Sequence, residues 1–104
     1  MTANIPDYST WSRDDLIDQT HRLACRMSHL AGDPMCTLER RHGVAARYHA
    51  AYAALLVMTE PFDAEARARM DKARQWHLDE SERHERLALG LEAPAGRRAG
   101  VPCN

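Results

Sequence analysis

The stretch SRDDLIDQTHRLACRMSHLAGDP, residues 12–34, holds one complete helix and the start of the turn that follows it. Ser12 is a good N-cap residue, and Asp15 follows three positions later, as in a capping box. Gly32 can end the helix. Between them, mostly apolar side chains recur at intervals of four and three residues, the period of one helix face: Leu16, Thr20, Leu23, Met27 and Leu30. We therefore predict a helix over 13–31.

The residues after this helix predict a second, antiparallel one. Asp33 and Pro34 supply an N-cap and a proline at the first helical position, so we expect a helix over 34–59. The short connection forces the two helices into a hairpin. Gly43 lies inside the second helix at a cost of about 1 kcal/mol relative to alanine. Either the backbone passes close to Leu23 there, or the helix breaks in two; the sequence leaves both interpretations open.

A third helix is predicted over 64–91, capped by Asp63 and carrying an apolar stripe that includes Met70 and Leu87. No segment alternates with the period of a strand. The expected fold is all-α, an antiparallel up-down-up three-helix bundle. Its single domain spans 13–91, after an N-terminal extension over 1–12 and before a flexible tail, rich in glycine and proline, over 92–104. The apolar stripes are narrow, so a homodimer would bury more surface.

Composition limits the function further. The chain has 104 residues and a net charge of −1, which gives no global attraction to nucleic acid or to anionic membranes. Its longest apolar run, from Ala50 to Met58, is too short to cross a bilayer, so we expect no membrane association. The three cysteines, Cys25, Cys36 and Cys103, show no paired spacing, and the first residues do not resemble a signal peptide. These features predict a cytoplasmic protein.

The third helix carries an unusual polar stripe. His77, Glu80 and His84 are spaced i, i+3 and i+7, so they share the face that should be buried. Counting back from the turn places residue 42 opposite residue 80 and residue 38 opposite residue 84. His42 therefore joins the group, and His49 lies one or two turns away. Two or three imidazoles and a carboxylate on facing helices predict a zinc or iron site.

Other interpretations of this stripe remain open. The trusted spacing Glu-x-x-His is absent, and a histidine and a glutamate at the edge of a narrow stripe often cover apolar atoms while their polar tips stay in water. The stripe also predicts a pH-sensitive seam, because protonation of His77 and His84 below about pH 6.5 would place charge on a partly buried face.

The first two helices offer weaker candidates. His21, Cys25 and His29 form one line on the first helix and could bind zinc, or they could form a half-exposed flank with a small, buried cysteine. Cys36, in the first turn of the predicted second helix, would have a location that favours the thiolate, but no catalytic base is fixed beside it.

Arginine and aromatic residues mark a candidate surface for a partner. Aromatic side chains rimmed by arginine are typical of interface hot spots, and the spacing places Tyr48 across the hairpin from Arg74 and Trp76. The alternative is that Tyr48 and Trp76 close the edge of the core. The predicted partner-binding residues are Arg40, Arg41, Arg47, Tyr48, Arg69, Trp76 and Arg83.

The sequence contains no nucleophile motif and no glycine-rich phosphate loop, so we expect no enzyme. The favoured hypothesis is a small helical interaction protein, a regulator or inhibitor of a larger protein or nucleoprotein complex. Phage and mobile-element inhibitors such as anti-CRISPR proteins form one such class, suggested by size and by a composition typical of GC-rich bacteria. The alternatives are a metal-binding helical bundle and a small nucleic-acid-binding regulator. Direct binding of nucleic acid is disfavoured because Glu39, Glu60 and Glu65 dilute the arginines.

Overall fold

The computed structural model describes residues 5–90 and is all-helical over that range. It contains three α-helices, α1 (Arg13–Ala31), α2 (Leu38–Val57) and α3 (Ala64–Ala88), with a short 3-10 helix, Tyr8–Thr10, before them. Successive helices run antiparallel and pack as a three-helix bundle. The predicted fold class is therefore confirmed. None of the described helices combines the length and the apolar character that crossing a bilayer requires.

Helix α1 begins and ends at the predicted residues. The Ser12 hydroxyl accepts a hydrogen bond from the Asp15 amide at 3.1 Å, which satisfies one of the free amides at the helix start. At the other end, the Gly32 amide donates to the carbonyls of His29 and Leu30. Ser12 thus caps the helix as predicted, whereas Gly32 follows the helix end with a φ of −92° and does not use the left-handed conformation of a typical glycine cap.

Helix α2 begins four residues later than predicted, because the turn uses Asp33 differently. The Asp33 carboxylate accepts a hydrogen bond from the Met35 amide at 2.9 Å, and the Asp33 carbonyl accepts one from the Cys36 amide at 3.2 Å. These bonds close a turn around Pro34–Met35, and Thr37 then caps the helix by accepting from the Arg40 amide. The predicted range 34–59 was wrong at both ends, since α2 ends at Val57. Cys36 consequently precedes the helix.

Helix α3 begins at the predicted residue and ends three residues early. The Asp63 carboxylate accepts from the Ala66 amide at 2.7 Å. The helix stops at Ala88, and Gly90 has a φ of 76°, a left-handed conformation that favours glycine. Residue 91 and the predicted tail over 92–104 lie outside the described residues.

Helix α2 is the central helix. It packs on both α1 and α3, whereas α1 and α3 hardly approach each other directly. The buried core between α1 and α2 also takes in Tyr8, only 3% exposed, so the packed unit includes part of the segment assigned to the N-terminal extension. The members of this core are Tyr8, Leu16, Leu23, Leu30, Val44 and Ala51.

The interface between α2 and α3 has a different character. The buried Ser81 hydroxyl donates to the Ala46 carbonyl at 2.8 Å, which fixes how far α3 slides along α2. The large aliphatic residues of the core described above come from α1 and α2, while the α2–α3 seam contains most of the histidines of the chain. The partly buried polar groups of this seam need hydrogen-bond partners, which apolar packing alone does not supply.

Gly43 lies in an unbroken part of α2, and nothing approaches it closely. An added Cβ would meet Arg47 Nη1 at 3.9 Å, an ordinary contact, so neither a helix break nor a close approach to Leu23 accounts for the glycine. We expect Gly43→Ala to stabilise the protein by about 0.5–1 kcal/mol, because alanine loses less backbone entropy on helix formation. A thermal melt should show a Tm increase of roughly 4 °C.

The matched control for this prediction is Gly90→Ala. Its backbone has the left-handed φ of 76°, so the same change there should lower the Tm. A Gly43→Ala variant that melts at or below the wild-type temperature would contradict the open space found around Gly43.

Candidate metal centre

Four histidines meet between α2 and α3. His42 and His49 are seven residues apart on α2, and His77 and His84 are seven residues apart on α3, so each pair spans two turns of one helix face. Because the helices are antiparallel, His42 pairs with His84 and His49 pairs with His77. In each pair the two Nδ1 atoms are 2.8 Å apart, a hydrogen bond in which one imidazole donates and the other accepts.

Three of the side chains at this seam form the inner triad: His49, Glu80 and His84. One potential ligand atom from each lies within 4.8 Å of the other two. The rings of His49 and His84 are parallel within 9°, with centroids 5.6 Å apart, and His84 Nε2 lies 3.8 Å from Glu80 Oε1. A single ion could contact all three groups after small side-chain movements, since metal–ligand bonds of about 2 Å require donors about 3 to 3.5 Å apart.

The other two histidines, His42 and His77, are the outer histidines. Each forms its Nδ1 hydrogen bond with one imidazole of the inner triad, so Nε2 is the nitrogen left for a metal on both His49 and His84. An imidazole that binds metal through Nε2 carries its hydrogen on Nδ1 and donates it to a neighbouring acceptor, which fixes the ring and its tautomer. The outer histidines are placed to be those acceptors.

The environment keeps the imidazoles uncharged at neutral pH. Burial lowers the pKa of His49 to about 4, helped by the neighbouring His77 and His84, and only 7% of His49 is exposed. Burial is also the main cause of a lowered pKa at His42, His77 and His84. Neutral imidazole is the form that binds metal, so no proton has to be removed from these rings at neutral pH.

Glu80 is held as a carboxylate. Arg83 Nε and Nη2 donate to its two oxygens at 3.2 Å each, and this hydrogen bonding is the main cause of the lowered pKa of Glu80. The side chain of Glu80 is 21% exposed and that of His84 is 16% exposed. Water and small solutes can therefore reach this part of the seam.

Aromatic rings line the other end of the cluster. The Tyr52 ring lies 4.5 Å from His77, and the Tyr48 ring lies 5.2 Å from His49, measured between centroids. The Trp76 ring lies 4.9 Å from His77 and 5.4 Å from His49, although 55% of Trp76 is exposed. These rings cover the His49–His77 pair and reduce its contact with water.

The residues predicted for the metal site, His42, His77, Glu80 and His84, do come together at one seam, but their order differs from the prediction. His42 faces His84 instead of Glu80, a shift of one helical turn. The prediction counted residues symmetrically from the middle of the turn. The register is instead set by the packing of α2 on α3, which includes the Ser81–Ala46 hydrogen bond.

His49 is the residue that sequence reasoning placed too far away. The structure puts it in the inner triad, where the prediction had put His42 and His77. One signal could have found it: the pairs His42/His49 and His77/His84 have the same spacing of seven. Equal spacing on antiparallel neighbours allows both pairs to meet at once.

The line on α1 does not form a comparable group. His21, Cys25 and His29 are all exposed, and Cys25 Sγ lies 3.8 Å from His21 Nε2. Over residues 5–90, the inner triad is the group whose ligand atoms converge closely enough to hold an ion. Because Cys25 is exposed as well, the expected half-exposed flank with a buried cysteine is also wrong for the α1 line. Cys103 lies outside the described residues.

The predicted partner-binding residues differ in accessibility. Arg40, Arg69 and Trp76 are exposed. Arg41 is half-buried, and its Nη2 donates to the Asp33 carbonyl at 2.6 Å, so it helps to hold the α1–α2 turn. The others are also half-buried: Arg47, Tyr48 and Arg83.

Comparisons of the chain with protein-family models, with curated proteins and with solved structures match nothing.

Proposed function

We propose that the protein binds a divalent transition metal, zinc in the first instance, between α2 and α3. One observation carries this proposal: the inner triad of His49, Glu80 and His84 converges within 4.8 Å, and each of its imidazoles has a second histidine hydrogen-bonded to Nδ1. A hydrogen bond to the second ring nitrogen of each ligand histidine is usual at protein zinc sites, where the partner is commonly a carboxylate, a carbonyl or water; here the partner is another imidazole.

The ligand set favours borderline transition metals over magnesium and calcium. Two imidazole nitrogens and one carboxylate oxygen suit borderline metals such as zinc and iron(II), whereas magnesium and calcium prefer oxygen ligands alone. Three protein ligands leave at least one coordination position for water or another small ligand.

Metal binding would join two helices. His49 belongs to α2, and Glu80 and His84 belong to α3, so an ion bound by all three would hold the seam together. The free energy of metal binding would then add to the stability of the fold, because the unfolded chain does not preform the site. We therefore infer that the metal has a structural effect, whatever further role the open position has.

The test is a thermal melt of the metal-free protein with added zinc. At a free zinc concentration a hundred times the Kd, the stabilisation should be about 2.7 kcal/mol, which for a domain of this size corresponds to a Tm increase of roughly 10 °C or more. A chelator should reverse it, and magnesium should not reproduce it. Calorimetry should give one zinc per chain. An unchanged melt with zinc and with chelator would refute the proposal.

The interaction function expected from the sequence stays a prediction. Its best support is Trp76, which is 55% exposed although it is a large aromatic residue. Trp76 also borders the His49–His77 pair, so a partner that covers this residue would lie against the proposed metal site.

A further inference from the structure

The charges around the inner triad do not balance once a divalent ion is added. His49 and His84 are neutral, Glu80 contributes one negative charge, and Arg83 contributes one positive charge 3.2 Å from Glu80. Together with the two charges of the ion, these groups leave two net positive charges in a partly buried place. Arg41 adds positive charge on the side of His42, whose pKa it helps to lower.

Among the described residues, Glu80 is the acidic group that acts on the imidazoles of His49, His77 and His84, whereas Arg83 acts on His42, His49 and His84. The elements packed at the seam are α2 and α3, and the α1 side chains that border His42 and His84 are the apolar Met27, Leu30 and Ala31. The local field therefore favours an additional negative charge.

The place is also accessible to a small solute. The side chains of Arg83, Glu80 and His84 are 34%, 21% and 16% exposed, while the aromatic residues cover the opposite end at His77. The three protein ligands leave a coordination position open. An incoming ligand thus has an approach on the Arg83 side.

We infer that the metal-loaded site binds a small monovalent anion, of the carboxylate or bicarbonate type, at the open coordination position, with Arg83 supplying the charge that favours it. This inference rests on the proposed metal-binding function. Arg83 is a positioning residue here, since it acts through its charge on a ligand held by the metal.

The experiment uses cobalt(II) as a spectroscopic substitute for zinc and azide as the probe anion. The cobalt-loaded protein should show visible absorption bands, and azide should shift them with saturation. Arg83→Gln also removes the hydrogen bonds that hold Glu80, so this variant is first saturated with cobalt; azide should then bind about tenfold more weakly, and Arg83→Lys should restore most of the azide affinity. Acetate should compete with azide.

The matched control is Arg86→Gln. Arg86 lies on the same helix three residues further on and pairs with Glu82 at 2.8 Å, so its loss should leave azide binding within about twofold. Cobalt bands that do not respond to azide would overturn the anion site alone. Equal azide affinity in wild type and Arg83→Gln would overturn the role of Arg83. The absence of cobalt bands in every variant would overturn the metal site itself.

Discussion

Replacement of His84 by glutamine is expected to weaken zinc binding by at least about a hundredfold, whereas replacement of His42 should weaken it roughly tenfold. Both changes remove the same hydrogen bond, the Nδ1–Nδ1 contact of 2.8 Å between these two residues. Only His84 belongs to the inner triad. The two variants therefore compare the loss of a ligand with the loss of a residue that only orients the ligand. Loss of an orienting residue typically lowers metal affinity ten- to a hundredfold.

The second pair repeats the comparison at the other end of the cluster. His49→Gln should behave like His84→Gln, and His77→Gln should behave like His42→Gln, because His77 holds His49 through an equivalent bond. Glu80→Gln keeps the shape of the side chain and removes its charge, so it should weaken zinc binding as strongly as the loss of His49 or His84. The exposed His21→Gln should bind zinc as the wild type does.

Zinc affinity in all variants can be measured by competition with a chromophoric chelator. Circular dichroism of the metal-free variants would separate a binding defect from a failure to fold. The order of zinc affinities among the variants is the result that tests the division into inner triad and outer histidines. If His42→Gln and His77→Gln lose as much affinity as His49→Gln and His84→Gln, the four imidazoles bind as equals. The division into inner and outer residues would then be wrong.

Acidification of the metal-free protein from pH 7 to pH 5 should destabilise the fold strongly. The unfolded chain takes up protons at its histidines near pH 6.5, whereas burial holds the pKa of His49 at about 4 in the folded protein. Between these values the unfolded state binds more protons than the folded state, so stability falls as the pH falls. The stabilisation is complete above about pH 6.5 and is lost progressively down to about pH 4.

The expected size is large for a domain of this length. One proton taken up on unfolding changes the stability by about 1.4 kcal/mol per pH unit, so His49 alone accounts for roughly 3 kcal/mol between pH 6.5 and pH 4, and about 2 kcal/mol of this is lost by pH 5. The pKa values of His42, His77 and His84 are lowered in the same direction and add to the slope. The free energy of unfolding of a small domain is only about 5–15 kcal/mol in total.

Urea unfolding at several pH values gives the slope directly. His49→Gln should reduce the number of protons taken up on unfolding by about one, and the exposed His21→Gln should leave this number unchanged. Glu80 does not obscure the result, because its pKa is lowered and it stays ionised in this window. A stability that is independent of pH between 7 and 5 would show that the histidines are as well hydrated when folded as when unfolded.

The sequence was sufficient where local chemistry decides the structure. Ser12 defined the start of α1 because a hydroxyl cap acts on amides within a few residues. Asp33 shows the limit of this reasoning: its carboxylate could cap a helix or close a turn, and it closes a turn. Thr37, which was not predicted as a cap, starts α2 instead. Two competing local signals cannot be ranked without the packing that follows them.

The candidate site was predictable in composition and not in arrangement. Helical spacing placed His77, Glu80 and His84 on one face, and antiparallel topology brought α2 histidines against them. The register between helices depends on how whole side chains interlock along α2 and α3. A shift of one turn exchanged the roles of His42 and His49; the equal spacing of seven in the two histidine pairs is the sequence signal that is consistent with the observed register.

The central position of α2 has a consequence for how the chain reaches its folded state. The main helix contacts join neighbours in the chain, α1 with α2 and α2 with α3, and these two hairpins share one helix. Such a low contact order favours rapid folding, since little loop entropy is lost before a contact forms. Because α1 and α3 hardly meet, separation of α3 from α2 would break few contacts of the α1–α2 half. An ion at the α2–α3 seam would then slow the opening of one half and leave the exchange of α1 amides almost unchanged.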